Sequence, residues 1–226
     1  MSSVAVVIPA GGAGVRMGGI YKPLLPLLGT PVLAHSIVPF LARADVVALA
    51  IAVPEHLTRN PPAWLAADPR VRLVVAGAER TDSVRNALAA IPSDVDVLLV
   101  HDAVRPLVSA DLIDRCIAEA ARGHSVIAAV RVVDTIKEVD DSGRVVDTPD
   151  RRRLWAAQTP QAFPAGVLRA AHARAAAEHF SATDDAALVA RCGTPVTVVP
   201  ATPENIKITT PADVTIAEAL LARRHG

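Results

Sequence analysis

The sequence predicts a doubly wound α/β fold with a mostly parallel sheet and one projecting β-hairpin arm. Three observations carry this. Short, almost wholly apolar runs rich in Val, Ile and Leu recur along the chain, as strands covered on both faces of a parallel sheet do. Segments with helical spacing alternate with these runs, which is the order of strand–helix–strand units. One stretch, residues 131–146, breaks the alternation with two short runs around a turn.

The strand runs are Val4 to Ile8, Val46 to Val53, Val71 to Val75, Val97 to Val100, Val126 to Val130 and Val196 to Val199. The helical segments are Pro31 to Ala42, Thr81 to Ala90, Ala110 to Arg122, Ala165 to His179 and Pro211 to Arg224. Asn60-Pro61-Pro62 reads as a loop rather than a boundary. Between Arg131 and Val146, two alternating strands flank a turn containing Gly143, a hairpin signal. That hairpin carries Arg131 and Lys137 and has no core of its own, so it is expected to project and pack on something else; a second subunit is a candidate. The 226 residues fit one domain, 1–226, with the arm at about 131–158 as its excursion.

Half of the residues are hydrophobic and few are aromatic, so the core is built from Ala, Val, Leu and Ile. The formal net charge is zero, without the basic excess of a general nucleic-acid binder. Any anion site must be local. Cys116 and Cys192 are far apart and in no metal-like spacing, and they read as free thiols of a reducing compartment. The N-terminus shows no basic region with a cleavage site, and no apolar run reaches the ~18 residues of a membrane span. The chain therefore reads as soluble and cytoplasmic.

The strongest motif is Pro9-Ala10-Gly11-Gly12-Ala13-Gly14-Val15-Arg16-Met17, directly after the first strand run. Small residues let backbone N–H groups approach a phosphate chain. Arg16 can reach phosphate oxygens from the same loop, and Lys22 adds a compact charge six residues later. A P-loop would end in Gly-Lys-Ser/Thr, which is absent. A dinucleotide fold would place an acidic residue about 20 positions on; here Arg16, Lys22 and Pro23 follow the loop and no acidic residue stands at that distance. A nucleotidyltransferase loop fits best, with a plain structural turn as the alternative.

In Val100-His101-Asp102-Ala103-Val104-Arg105-Pro106, a buried strand ends in a carboxylate at the edge where α/β sheets place ligands. Mg²⁺ prefers one or two carboxylates plus phosphate oxygens, which suits Asp102, and Arg105 can take a substrate phosphate. The alternative for Asp102 is a helix N-cap, and His101 reads as a packed or hydrogen-bonded side chain. Gly77-Ala78-Glu79-Arg80-Thr81-Asp82-Ser83 reads by itself as a helix start capped by Thr81 or Asp82. Asp134-Thr135-Ile136-Lys137 lies in the hairpin. Arg151-Arg152-Arg153 reads as a solvated face, and Thr159, held extended before Pro160, can present its hydroxyl to a ligand. Lys207, in the alternation Asn205-Ile206-Lys207-Ile208-Thr209, can enter a site from a late strand. Thr183-Asp184-Asp185-Ala186 reads as a helix start with a structural role.

Taken in order, Pro-Ala-Gly-Gly-x-Gly-x-Arg-Met, Lys, Arg-Thr-Asp-Ser-Val, Val-His-Asp-Ala-x-Arg-Pro, Asp-Thr-Ile-Lys, Gln-Thr-Pro-Gln-x-Phe, Thr-Asp-Asp-Ala and Asn-Ile-Lys-Ile-Thr span nearly the whole chain. This series resembles the methylerythritol phosphate cytidylyltransferases. The order Lys22-Pro23 departs from that family's usual Pro-Lys. The resemblance implies a nucleotide-diphospho-sugar transferase-like, Rossmann-like fold and the coupling of CTP to a polyol phosphate with Mg²⁺. It implies that Ala10, Gly11, Gly12, Gly77, Ser83, Asp102 and Ala103 line the nucleotide pocket. Arg16, Lys22 and Lys207 would stabilise the reacting phosphates, and Asp102 would help hold the metal. Arg105, Thr135, Arg151 and Thr159 would bind the acceptor, with Thr135 and Arg151 acting across a homodimer formed through the arm. Three other readings are a ribitol 5-phosphate cytidylyltransferase, a non-catalytic nucleotide-binding regulator and a dehydrogenase. The regulator is disfavoured by the presence of Arg16, Lys22 and Asp102, and the dehydrogenase by the missing acidic residue.

Overall fold

A computed structural model describes residues 2–12 and 21–225, the side chain of His225 excepted. The elements run β1 (Val4–Pro9), β2 (Pro26–Leu27), β3 (Thr30–Pro31), α1 (Val32–Leu41), β4 (Val46–Val53), α2 (Glu55–Arg59), β5 (Val71–Val75), α3 (Arg80–Ala89) and β6 (Val97–Val100). They continue with α4 (Ala110–Ala121), β7 (Ser125–Arg131), β8 (Glu138–Val139), β9 (Val145–Asp147), β10 (Trp155–Pro164), α5 (Ala165–Ala177), α6 (Asp185–Arg191), β11 (Val196–Pro200) and α7 (Pro211–His225). Every apolar run named above forms a strand, and every helical segment a helix, with bounds shifted by at most two residues.

Seven strands form one sheet in the order β11-β7-β10-β6-β1-β4-β5. All neighbours pair in parallel except those of β10, which is antiparallel to both β6 and β7. Val4, Ala5, Val6, Val7 and Ile8 have no exposed surface, because the alternate side chains of β1 enter opposite core layers. Val4, Val6 and Ile8 join Phe40, Leu99 and Ile113 on one face, while Ala5 and Val7 join Val84, Phe163 and Leu168 on the other. This two-sided burial is why the strand runs carry no polar alternation.

The ten-residue strand β10 was not among the expected elements. Its sequence, WAAQTPQAFP, has no β-branched run and carries Pro160, which normally argues against an interior strand. The structure accommodates the proline at a break in register between Ala157 and Gln161 opposite β7. Pairing with β6 begins only at Gln161, opposite Val100. Pro160 therefore owes no ladder hydrogen bond, and the break lies where β6 gives way to His101 and Asp102.

The hairpin is present but shorter than the sequence suggests. Arg131 ends β7, and only Glu138–Val139 and Val145–Asp147 pair in the arm. Gly143 has φ +81 at its turn, and Asp140 Oδ1 accepts the N–H groups of Ser142 and Arg144. Nearly every residue from 131 to 153 is exposed, including Val133, Val139, Val145 and Val146. Cys116 is a buried free thiol whereas Cys192 is half-buried. Among the described residues no helix is long and apolar enough to cross a membrane.

Candidate active site

The sheet's carboxyl edge brings together four segments distant in sequence. The first is the turn after β1. Tyr21 Oη donates to the Ala10 carbonyl at 2.7 Å, and Gly11 lies so close to the chain after β5 that an added Cβ would stand 2.3 Å from Ala76 Cβ. The second is the turn from β5 into α3. Gly77 is required there by contact, since a Cβ would meet Asp82 Cβ at 2.1 Å. Ser83 Oγ donates to the Glu79 carbonyl at 3.0 Å and accepts the Gly77 N–H at 3.1 Å. The N-cap position of α3 belongs to Glu79, not to Thr81 or Asp82 as the sequence suggested. Asp82 instead reaches back to the Glu79 N–H at 3.3 Å.

The third segment leaves β6. His101 is fully buried, its ring 5.0 Å from that of Phe40. Its Nε2 lies 3.2 Å from the Arg105 carbonyl and its Nδ1 2.9 Å from Thr159 Oγ1. A carbonyl can only accept, so Nε2 carries the proton and Nδ1 accepts from the Thr159 hydroxyl. The same hydroxyl oxygen accepts the Asp102 N–H at 3.0 Å. Burial lowers the His101 pKa to about 4, so the ring is neutral near pH 7. Thr159 thus uses its hydroxyl to hold this turn, where the sequence had offered it to a ligand.

The fourth segment, residues 201–210, precedes α7. Lys207 lies on an extended loop and not on a late strand. One ladder-like hydrogen bond, Ile208 N–H to the Val104 carbonyl at 2.9 Å, and Asp213 Oδ2, which accepts the N–H groups of Thr209 and Thr210, fix that loop. Asn205 Nδ2 donates to Gln158 Oε1 and to the Thr159 carbonyl, and its own carbonyl accepts from Arg105 Nη1 at 2.8 Å.

Asp102 sits at the junction of these segments. Its Oδ2 lies 3.0 Å from Arg105 Nε and 3.1 Å from Lys207 Nζ. Burial raises the Asp102 pKa, but Lys207, Arg105 and Arg80 outweigh it and hold it at about 2. Asp102 Oδ1 has no hydrogen bond among the described residues. No group of three or more His, Cys, Asp or Glu is placed to hold a metal among them. This donor set does not make an all-protein cage. It does fit a Mg²⁺ ion that takes one carboxylate oxygen here and its other ligands from phosphates and water.

Two cavities open on either side of Asp102. The larger, about 490 Å³, is lined by Ala10, Gly11, Gly12, Lys22, Gly77, Ser83 and Ala103 among others. The smaller, about 220 Å³, is lined by Arg105, Gln158, Thr159, Gln161, Thr183 and Asp184. Arg80, Asp102 and Lys207 line both. This is a glycine-lined pocket and a smaller polar pocket, meeting at a carboxylate flanked by cations.

The model of the 2-C-methyl-D-erythritol 4-phosphate cytidylyltransferase family matches residues 4–223. The chain belongs to that family. The cytidylyltransferase of Parasynechococcus marenigrum is 44% identical over 223 residues, which cover 97% of this chain and 98% of that one. The cytidylyltransferase of Symbiobacterium thermophilum is 47% identical over 221 residues, covering 96% and 92%. Among solved structures, the cytidylyltransferase from Thermus thermophilus superposes with a TM-score of 0.82 at 32% identity, over 98% of this chain and 99% of that one. The 4-diphosphocytidyl-2C-methyl-D-erythritol synthase of Anaerococcus prevotii gives 0.86 at 28%, over 98% and 96%.

Against what the cytidylyltransferase resemblance implied, the cavities gather most of the expected residues. The larger one is lined by all seven expected at the nucleotide, Ala10, Gly11, Gly12, Gly77, Ser83, Asp102 and Ala103, and by Lys22 despite the altered Lys22-Pro23 order. Arg105 and Thr159 line the smaller. Thr135 and Arg151 line neither; both are exposed on the arm, and Arg151 Nη1 donates to the Val133 carbonyl at 2.8 Å. Arg16 lies outside the described residues. Sequence reasoning passed over Arg80, which touches both cavities. The available signal was a positive charge in the first turn of a helix, where the helix dipole opposes it, so that another group must hold it.

Proposed function

We propose that the chain transfers the cytidylyl group of CTP to 2-C-methyl-D-erythritol 4-phosphate, giving 4-diphosphocytidyl-2-C-methyl-D-erythritol and pyrophosphate in non-mevalonate isoprenoid biosynthesis. The observation that carries this reading is the wall shared by the two cavities. CTP occupies the larger cavity, with its phosphates against Gly11 and Gly12, and the phosphorylated polyol occupies the smaller one beside Arg105. Their reacting groups meet at Asp102 and Lys207. An oxygen of the acceptor phosphate attacks the α-phosphorus in line, the bond from that phosphorus to its bridging oxygen breaks, and pyrophosphate leaves with the electron pair. The protein orients the two phosphates and neutralises charge. Lys207, and Lys22 from the nucleotide side, face the pentacoordinate centre, with Arg16 in the same role. Asp102 would hold Mg²⁺ together with phosphate oxygens, and the ion when bound would offset charge on the departing pyrophosphate.

The protein acts in this reading as a cytoplasmic homodimer. The exposed Val133, Ile136, Val139, Val145 and Val146 of the arm are covered by a second copy, and Thr135 and Arg151 complete the partner's acceptor pocket. The test is pyrophosphate release from purified protein with CTP and Mg²⁺, offered either methylerythritol 4-phosphate or ribitol 5-phosphate. Release with the first alone is expected. Release with the second alone would keep the reaction and overturn the acceptor, and release with neither would overturn the function.

A further inference from the structure

Among the described residues, Arg80 is the one side chain that touches both cavities and is anchored to a carboxylate outside the Asp102 group. Its Nη1 lies 2.7 Å from Asp185 Oδ2. Asp185 has no exposed surface, and both of its oxygens are committed, since Oδ1 accepts from His172 Nε2 at 2.8 Å. The N–H groups of Asp185 and Ala186 both donate to Gln161 Oε1 at 3.1 Å, and Gln161 Nε2 donates to Asp184 Oδ2 at 2.9 Å. Asp185 therefore cannot move toward Arg80; the guanidinium is brought to it. Among the described residues only Nη1 of that guanidinium is hydrogen-bonded. Its other N–H groups remain for what enters the cavities, and a planar fork suits phosphate oxygens better than a lysine does.

The pair with Asp185 holds this cation in the first turn of α3, where the helix dipole opposes it, and Arg80 lines both cavities together with Asp102 and Lys207. An anion arriving between the two cavities offsets that dipole penalty. We propose that Arg80 is a catalytic residue of the transfer, donating to the non-bridging oxygens of the α-phosphoryl group as it passes between CTP and the acceptor. This rests on the functional reading above. Asp185 sets the guanidinium at the seam, where Lys207 also lines both cavities.

The experiment is steady-state kinetics of pyrophosphate release by the wild type and Arg80→Ala, with CTP affinity measured separately by calorimetry. The expected result is a fall in kcat of about 100-fold, the scale of losing one preorganised donor, with a smaller change in CTP affinity and partial restoration of kcat by free guanidinium but not by equal sodium chloride. A fall of less than about tenfold, or a larger fall that guanidinium leaves untouched, overturns the role. If the wild type itself releases no pyrophosphate, the functional reading fails and not merely this assignment. Should Arg80→Ala not fold, Arg80→Lys decides. It keeps the charge and loses the fork, so a folded variant with wild-type kcat overturns the proposal, while one with lowered kcat and near-normal CTP affinity supports it.

Discussion

Lys207 Nζ and Arg105 Nε converge on the same oxygen of Asp102, at 3.1 and 3.0 Å. One buried carboxylate oxygen thus aligns two cations from segments about a hundred residues apart in sequence, while the other has no hydrogen bond among the described residues. Replacing Asp102 with Asn keeps the shape and removes the charge. The expected outcome is a loss of turnover of about 100-fold or more, with weakened Mg²⁺ dependence, checked by titrating Mg²⁺ in the pyrophosphate assay. Because Asp102 titrates near pH 2, it stays ionised throughout the working range. The wild-type kcat profile should therefore show no limb from this carboxylate between pH 5 and 8.

His101 gives a stability prediction with a definite sign. Its folded pKa, lowered by burial from 6.5 to about 4, lies below that of the unfolded chain. Between those values the unfolded chain binds a proton that the folded one refuses. Stability is therefore complete above pH 6.5, declines as pH falls toward 4, and the total is on the order of 3 kcal/mol. Urea midpoints of the wild type and His101→Gln, compared at pH 4.5 and 7.5, should show a smaller pH dependence in the variant. Equal dependence in both would mean that the imidazole takes up its proton without unfolding.

The glycines that line the larger cavity should separate by space. A Cβ on Gly11 would stand 2.3 Å from Ala76 Cβ, one on Gly77 would stand 2.1 Å from Asp82 Cβ, and one on Gly12 would meet nothing within 4 Å among the described residues. Gly11→Ala and Gly77→Ala are expected to destabilise the protein by about 1–3 kcal/mol through overpacking. Gly12→Ala should leave the melting temperature near that of the wild type and weaken CTP binding only where the loop approaches phosphate. Thermal melts followed by CTP titration test this ordering.

The arm predicts complementation between subunits. If Thr135 and Arg151 serve the partner's pocket, Arg151→Ala and Lys22→Ala will each be nearly inactive alone. Mixed and allowed to exchange subunits, they will regain up to about one quarter of wild-type activity, since a random mixture forms half heterodimers and each contains one intact site. No recovery, together with a monomeric mass by light scattering, would remove the cross-subunit role. Ile136→Asp should shift the mass toward monomer.

The alternating architecture was legible in the order of residues alone. Strands buried on both faces and helices buried on one leave periodicities that need no knowledge of partners, so Val46–Val53 and Val97–Val100 were legible residue for residue. The glycine-rich turn after the first strand was legible as well, whereas the contacts that require glycine at Gly11 and Gly77 are set by packing. Tertiary structure alone decided the rest. The strand Trp155–Pro164 was not among the expected elements, and a register break is what accommodates its Pro160. The Thr159 hydroxyl looks available until His101, 58 residues away, is placed against it. Arg80 looks like one more surface arginine until Asp185, 105 residues on, is found holding it at the seam between two cavities. A charge carries no mark of its partner in the chain. The pairing is set by which ends of the sheet meet, and that depends on the packing of the whole molecule.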